Sequence, residues 1–291
     1  MLLSWGYVFM NKLCIVTDTA ASLPTGVDKQ LGIHLVPMSI VLGDKTFREG
    51  VDMDSGSLYD LLRQGEMPTT SQPAPGDFLQ VFQPLVDAGQ QVIAVLVTSK
   101  ASGTFQSARI AADMLPAGAV TVFDSASFAM GTGLLTIAAA EAANAGQTFL
   151  EIMELLEHLR DIHRIYLAVP TLKYLQKSGR VNMTQALVGK LLNIKPILSA
   201  EEGLVNVVEK ARSWHGAIKK VLAMVKEVAG EQAVVVAVQH AGDLPAAEEL
   251  AAKVRTELNV RQLYTSELSA SLAMHGGPGM LGLAVYPVES V

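Results

Sequence analysis

Cysteine is all but missing from this chain: Cys14 is the one thiol in 291 residues. No intrachain disulfide can form, and Cys14 sits inside an apolar strand pattern, so it reads as a core residue in a reducing compartment. Aromatic residues are scarce at 5% and charged ones at 17%, while 50% of the chain is hydrophobic. This excludes a disordered chain and a disulfide-stapled scaffold, and describes a compact, Ala- and Val-rich α/β protein. No uncharged apolar run reaches the ~18 residues that a membrane span needs. The first ten residues, MLLSWGYVFM, lack the basic start and small-residue cleavage site of a signal peptide, and Met10 is an alternative start. The expectation is a cytoplasmic, soluble protein with no integral membrane association.

Catalytic and metal signatures are missing as well. There is no GxSxG elbow, Walker A loop, HExxH or Cys/His ligand spacing, so neither a metal nor a cofactor is expected. His158 and His163 are five apart, which places them on different helix faces. A formal GxGxxG occurs at Gly277, Gly279 and Gly282, but it precedes a strand pattern and only nine residues follow it. A dinucleotide fingerprint follows a strand and opens a unit of ~30 residues, so the match is rejected. The glycines instead suit close backbone approach around His275, which reads either as a structural histidine or as an anion contact at a loop tip.

What is present is strand and helix in alternation. At 291 residues two domains are the better expectation. Over 10–147, strand patterns at Leu13–Thr17, Val92–Val97 and Ala119–Asp124 alternate with helical ones, which predicts a mostly parallel sheet with helices on both faces. Ile33–Leu42 reads as strand broken at Pro37, and Asp54 or Ser55 opens a short helix that Gly65 stops. Over Met67–Phe78, three prolines argue against regular structure, with Pro75 opening the next helix. Thr148 and Glu151 stand in capping-box spacing and mark a boundary. The second unit, 148–291, reads as an α/β domain with a mixed or antiparallel sheet, completion of the first unit by C-terminal residues being the alternative division. It includes an amphipathic piece over 187–191 and a hairpin turning at Glu201, Glu202 and Gly203.

The stretch with the clearest chemistry is VIAVLVTSKASGTFQSARIAADML, Val92–Leu115. An apolar strand ends in Ser99-Lys100-Ala101-Ser102-Gly103-Thr104 and a helix begins, so this loop faces the crevice in which open α/β sheets bind ligands. It offers hydroxyls, free backbone N–H groups and a helix N-terminus, which together hold a carboxylate or phosphate oxygen. Capping by Ser102 or Thr104 is compatible with that role. Thr69, Thr70 and Ser71 form a second hydroxyl cluster, for which turn chemistry is the alternative reading. Charge is unevenly spread: 22 basic against 28 acidic residues give −6 overall, yet the segment from Arg160 to Lys195 holds seven basic residues and one acid. A solvated face and a docking surface for an anion or acidic partner both fit, and an acidic chain with one basic patch argues against general nucleic-acid binding.

Several stretches together resemble the DegV family of bacterial fatty-acid-binding proteins: VTDTAASLP from Val16, TTSQPAPGDF from Thr69, TSKASGTFQSA from Thr98, FDSASFAMGTG from Phe123, LKYLQKSGRV from Leu172, LLNIKPIL from Leu191 and HGGPGMLG from His275. They keep the family's order over nearly the whole chain. The resemblance implies two domains with a long-chain fatty acid between them and no turnover of the protein's own. It places the carboxylate on Thr70 and Ser102, beside Gly103 and Thr104, with His275 close by. It implies a fatty-acid kinase subunit as partner, which makes an acyl phosphate for lipid synthesis, with Arg180 and Arg212 at the kinase or the phosphate. Ser178 in the Lys177–Arg180 loop and Ala74 after the TSQP proline depart from the family pattern. The alternative is an enzyme, a hydrolase or phosphotransferase using Ser102.

Overall fold

The computed structural model describes residues 12–181 and 194–288. The first ten residues, Met10 among them, and the amphipathic piece expected over 187–191 lie outside the described residues.

The chain opens with β1 (Leu13–Asp18), a 3-10 turn (Thr19–Ala21), α1 (Val27–Leu31), β2 (His34–Val36), β3 (Ser39–Leu42) and β4 (Lys45–Arg48). There follow α2 (Ser55–Arg63), β5 (Thr69–Ser71), α3 (Pro75–Asp87), β6 (Gln91–Leu96), α4 (Thr104–Ala112), β7 (Val120–Asp124), α5 (Met130–Asn144) and α6 (Phe149–Ile162). Strands β2-β1-β6-β7 form a four-stranded sheet, parallel throughout. Its burial follows the two-residue period of a strand. Val92, Ala94 and Leu96 of β6 pack with Phe78 and Phe82 of α3 and Ala108 and Ala111 of α4. Ile93 and Val95 face Leu135 and Ala139 of α5 and Ile152 and Leu156 of α6. Both faces are covered, which is why these strands read as continuous apolar runs.

The second half contributes β8 (Arg164–Ala168), α7 (Leu172–Ser178), β9 (Lys195–Glu201), β10 (Leu204–Ala211), α8 (Trp214–Ala229), β11 (Ala233–His240), α9 (Leu244–Glu257), β12 (Val260–Glu267), α10 (Ala270–Gly276) and β13 (Leu281–Val288). The sheet order is β10-β9-β8-β13-β11-β12, with only β11 and β12 parallel, so the sheet is mixed. Val221 and Val225 of α8 and Leu250 and Val254 of α9 cover one face. On the other, Ile165, Leu167, Ala237 and Ala284 meet Met130, Leu134 and Ile137 of α5. Helix α5 therefore has a sheet on each side, and nearly every residue from Met130 to Ala142 is buried. A helix that is apolar all round belongs in such a position.

Local chemistry accounts for the boundaries. Thr148 and Glu151 form the expected capping box of α6, and Ser213 and Thr171 cap α8 and α7. The hairpin β9–β10 turns at Glu202 and Gly203, both with positive φ (49° and 80°), as a two-residue type I′ turn requires.

Three expectations need correction. The Met67–Phe78 stretch is not devoid of regular structure: β5 lies inside it and pairs with β3, which also pairs with β4 in a small antiparallel sheet. The prolines at 68 and 73 flank this strand rather than interrupt it, so no ladder donor is lost. The region 33–42 is not one interrupted strand, because β2 joins the parallel sheet and β3 the antiparallel one. His275 sits in helix α10 rather than at a loop tip.

Candidate functional site

The loop after β6 is fixed from three sides. The Val97 N–H donates to Asp18 Oδ2 at 2.9 Å, the Thr98 N–H to the Ser127 carbonyl at 2.8 Å, and the Thr98 hydroxyl to the Gly203 carbonyl of the β9–β10 turn at 2.7 Å. The hairpin of the second sheet is thus tied to this loop of the first. Within the loop, Ser102 Oγ and Thr104 Oγ1 lie 2.7 Å apart, and the Thr104 N–H donates to Ser102 Oγ at 3.3 Å. The N-cap of α4 is Gly103, which has no side chain to cap with. A Cβ at Gly103 would stand 3.0 Å from the Gln72 side chain, so the absence of one lets the Thr69–Gln72 stretch approach the loop.

β5 brings Thr70 to the same place, with Ile40 of β3 as its ladder partner. From the far end of the sequence, α10 brings His275, whose Nε2 lies 3.2 Å from Thr70 Oγ1. Burial, reinforced by the charge of Arg180, lowers the His275 pKa to about 4, so the ring is neutral at pH 7. Its free nitrogen chemistry suits hydrogen bonding to an oxygen ligand without a fixed counter-charge.

These residues are part of the lining of a cavity between the two sheets. Thr70, Ser102, Gly103, His275 and Arg180 all border it, as do Gln72 and Ser271. The remainder of the lining is apolar: Met38, Val97, Phe128, Leu167, Leu198 and Met280 are examples. The lining has the polarity of a small-molecule site, mostly apolar with a few polar groups.

The predicted residues divide accordingly. Thr70, Ser102, Gly103, His275 and Arg180 come together; Thr104 is fully buried behind Ser102 and also donates to Met38 Sδ at 3.5 Å. Arg212 is exposed just before α8 and is not among the cavity residues. Sequence reasoning missed Gln72, Ser271 and which residues form the apolar wall. Ser271 had a signal, since it lies four residues before His275 and therefore on the same helical face. Ser102 Oγ pairs with Thr104, whereas His275 pairs with Thr70, so the site lacks the serine–histidine hydrogen bond that activates a hydrolase nucleophile. Among the described residues no cluster of His, Cys, Asp or Glu is arranged to hold a metal ion, and no helix is long and apolar enough to cross a membrane.

Comparison with known proteins gives a uniform picture. The chain is 35% identical over 275 residues to a DegV domain-containing protein of Caldanaerobacter subterraneus subsp. tengcongensis, covering 94% of this chain and 98% of the relative. With protein DegV of Bacillus subtilis it shares 33% over 278 residues, 93% of this chain and 98% of that one. Among solved structures, the fatty-acid-binding DegV family protein of Thermus thermophilus superposes with a TM-score of 0.89 at 32% identity, over 95% of this chain and all 100% of its own. DegV of Bacillus subtilis, described as a fatty acid binding protein, gives 0.85 at 31%, over 96% and 100%. A stearic acid-binding protein of Eubacterium ventriosum gives 0.87 at 26%, over 96% and 98%. The family model described as an uncharacterised protein of the DegV family matches residues 12–288, and the chain belongs to the DegV family.

Proposed function

We propose that this protein binds a long-chain fatty acid in the cavity between its sheets and presents the carboxylate to a partner fatty-acid kinase. The observation that carries the proposal is the polarity of the cavity: Thr70 and His275 stand 3.2 Å apart in a lining that also holds Ser102, Gln72, Ser271 and Arg180 and is otherwise apolar. The fatty acids bound by the Thermus, Bacillus and Eubacterium relatives support the same ligand class. Burying an acyl chain of ~16 carbons at ~0.8 kcal/mol per CH₂ contributes up to about 12 kcal/mol, so the apolar wall dominates affinity. Hydroxyls, the Gly103 loop and the neutral His275 fix where the carboxylate stops.

The carrier reading, without turnover of its own, is supported by the pairing of Ser102 with Thr104 rather than with a histidine. Arg180, exposed and among the cavity residues, supports a cation contact to an acyl phosphate, and Arg212 is exposed on the surface for a partner. Placement of the carrier in the cytoplasm belongs to the same proposal. The deciding experiment is organic extraction of natively purified protein followed by mass spectrometry. About one equivalent of fatty acid per chain is expected, and reproducibly empty protein that also fails to bind added palmitate sinks the reading. The kinase step is tested by acyl-phosphate formation with a candidate kinase, comparing wild type with Thr70→Val/Ser102→Ala.

A further inference from the structure

Glu49 follows β4 and is 5% exposed, yet it does not line the cavity. Its Oε1 accepts the Ser271 N–H at 2.6 Å, and its Oε2 accepts the Ser271 hydroxyl at 2.8 Å and the Thr19 hydroxyl. Thr19 Oγ1 in turn accepts the Met38 N–H at 2.9 Å. Among the described residues no cation forms an ion pair with this carboxylate. The titratable groups whose charge it feels or perturbs are Asp18 at the end of β1 and Tyr59 of α2. Burial raises its pKa, and the Thr19 and Ser271 donors oppose that rise.

A buried carboxylate without a counter-ion is costly to keep, and an apolar side chain would fill the same volume at less cost. What the carboxylate supplies is direction: three donors from two distant elements converge on two oxygens. One element is the Thr19 turn that ends β1; the other is the first turn of α10. Ser271 and His275 are four residues apart on α10, share a face, and both line the cavity. A shift of the first turn therefore carries the imidazole with it.

We propose that Glu49 is a positioning residue, whose carboxylate pins the first turn of α10 to the Thr19 turn and so sets where His275 stands against Thr70 and the ligand head group. Only the head-group part rests on the fatty-acid reading; the placement of His275 does not.

The test follows the imidazole of His275 by NMR in ligand-free protein, with its signal assigned by its disappearance in His275→Gln. In wild type the ring is expected to titrate well below an ordinary histidine, because it is buried. Glu49→Ala is expected to move the midpoint upward by roughly one unit or more, as α10 relaxes and the ring is hydrated. Glu49→Gln keeps an acceptor for the Ser271 N–H and is expected to hold the midpoint near wild type. Glu49→Asp keeps the charge but draws it back by one C–C bond, out of reach of Ser271, and is expected to behave like Glu49→Ala. General loss of stability lowers the melting temperature of all three variants without producing this order. An unchanged His275 midpoint in folded Glu49→Ala overturns the proposal; should that variant not fold, an unchanged midpoint in Glu49→Asp does so. A second arm adds carboxyl-¹³C palmitate. A bound-carboxyl signal that shifts in Glu49→Ala and not in Glu49→Gln extends the role to the head group, and an identical signal in all variants removes that part. Wild type giving no bound signal defeats the fatty-acid reading and leaves the His275 result standing.

Discussion

The hydroxyl of Thr70 and the Nε2 of His275 stand 3.2 Å apart across 205 residues of sequence, one on a three-residue strand and the other on a two-turn helix. Neither element has much local stability of its own, so their meeting is set by what packs behind them. β5 is held by β3, while α10 rests on α7, α2 and β5. The bond joins two cavity-lining groups that can each accept or donate.

Because the two residues share a hydrogen bond and, in the proposed complex, one ligand oxygen, their contributions to affinity are expected to be non-additive. Thr70→Val alone should weaken binding of a fatty-acid probe by about 1.5–3 kcal/mol, the range for a hydrogen bond to a charged group, or roughly ten- to a hundredfold. Adding His275→Gln should cost less in that background than in wild type, with a coupling of about 0.5–3 kcal/mol. A double-mutant cycle on the dissociation constants measures it, and strict additivity would count against a shared site.

His275 gives the site a pH dependence with a definite sign. Its folded pKa of about 4 lies below the ordinary value of 6.5, so between these values the unfolded chain binds more protons than the native one. Its contribution to stability is intact above pH 6.5 and is lost as pH falls toward 4, by at most about 3 kcal/mol because the ring is partly open to the cavity. A carboxylate bound there as proposed is expected to raise the proton's affinity for the ring. Binding at pH 6 should therefore take up protons in wild type, and measurably fewer in His275→Gln, when calorimetry is run in buffers of different ionisation enthalpy.

Asp18 runs the other way. It is fully buried at the end of β1, accepting from the Ala20 and Val97 N–H groups, and burial raises its pKa from 3.8 to about 6. The native state now holds the extra proton, so stability falls as pH rises through the window from 3.8 to about 6, by roughly 3 kcal/mol. The window overlaps that of His275 with the opposite sign, so the two slopes offset one another in the wild type. Unfolding free energies measured against pH should show the His275 slope exposed in Asp18→Asn and the Asp18 slope exposed in His275→Gln.

The parts of this architecture visible in the sequence are those that local chemistry determines. The Ser102-Gly103-Thr104 loop follows an apolar strand and precedes a helix, the Glu202-Gly203 turn has two positive-φ residues, and Thr148 carries its own capping partner. Rejection of the GxGxxG rested on order along the chain, and Gly282 indeed lies within a strand. What stayed hidden is what only distant contacts create. β5 is three residues long between prolines and exists because β3 pairs with it. No local pattern marks Glu49 as buried, and its partner Ser271 lies 222 residues away. The neutrality of His275 could not be read either, since burial under elements from both halves produces it.

Gly282 offers a test of how tightly the wall behind the cavity is built. It lies on β13 in the middle of the mixed sheet, paired with Leu167 of β8 and Gln239 of β11. A Cβ there would stand 2.2 Å from the Tyr166 carbonyl oxygen and 2.7 Å from the Leu167 Cα. Both are backbone atoms, so no side chain can swing aside, and β8 has to part from β13. Gly282→Ala is expected to destabilise the protein at or above the upper end of the ~1–3 kcal/mol range for overpacking. Gly76→Ala is the control: it sits in the first turn of α3 with nothing within 4 Å of the added atom, and should be neutral or slightly stabilising. Urea midpoints at unchanged slope measure both changes. Since Leu167 also lines the cavity, whatever Gly282→Ala protein remains folded should bind a fatty-acid probe more weakly, while Gly76→Ala binds as wild type.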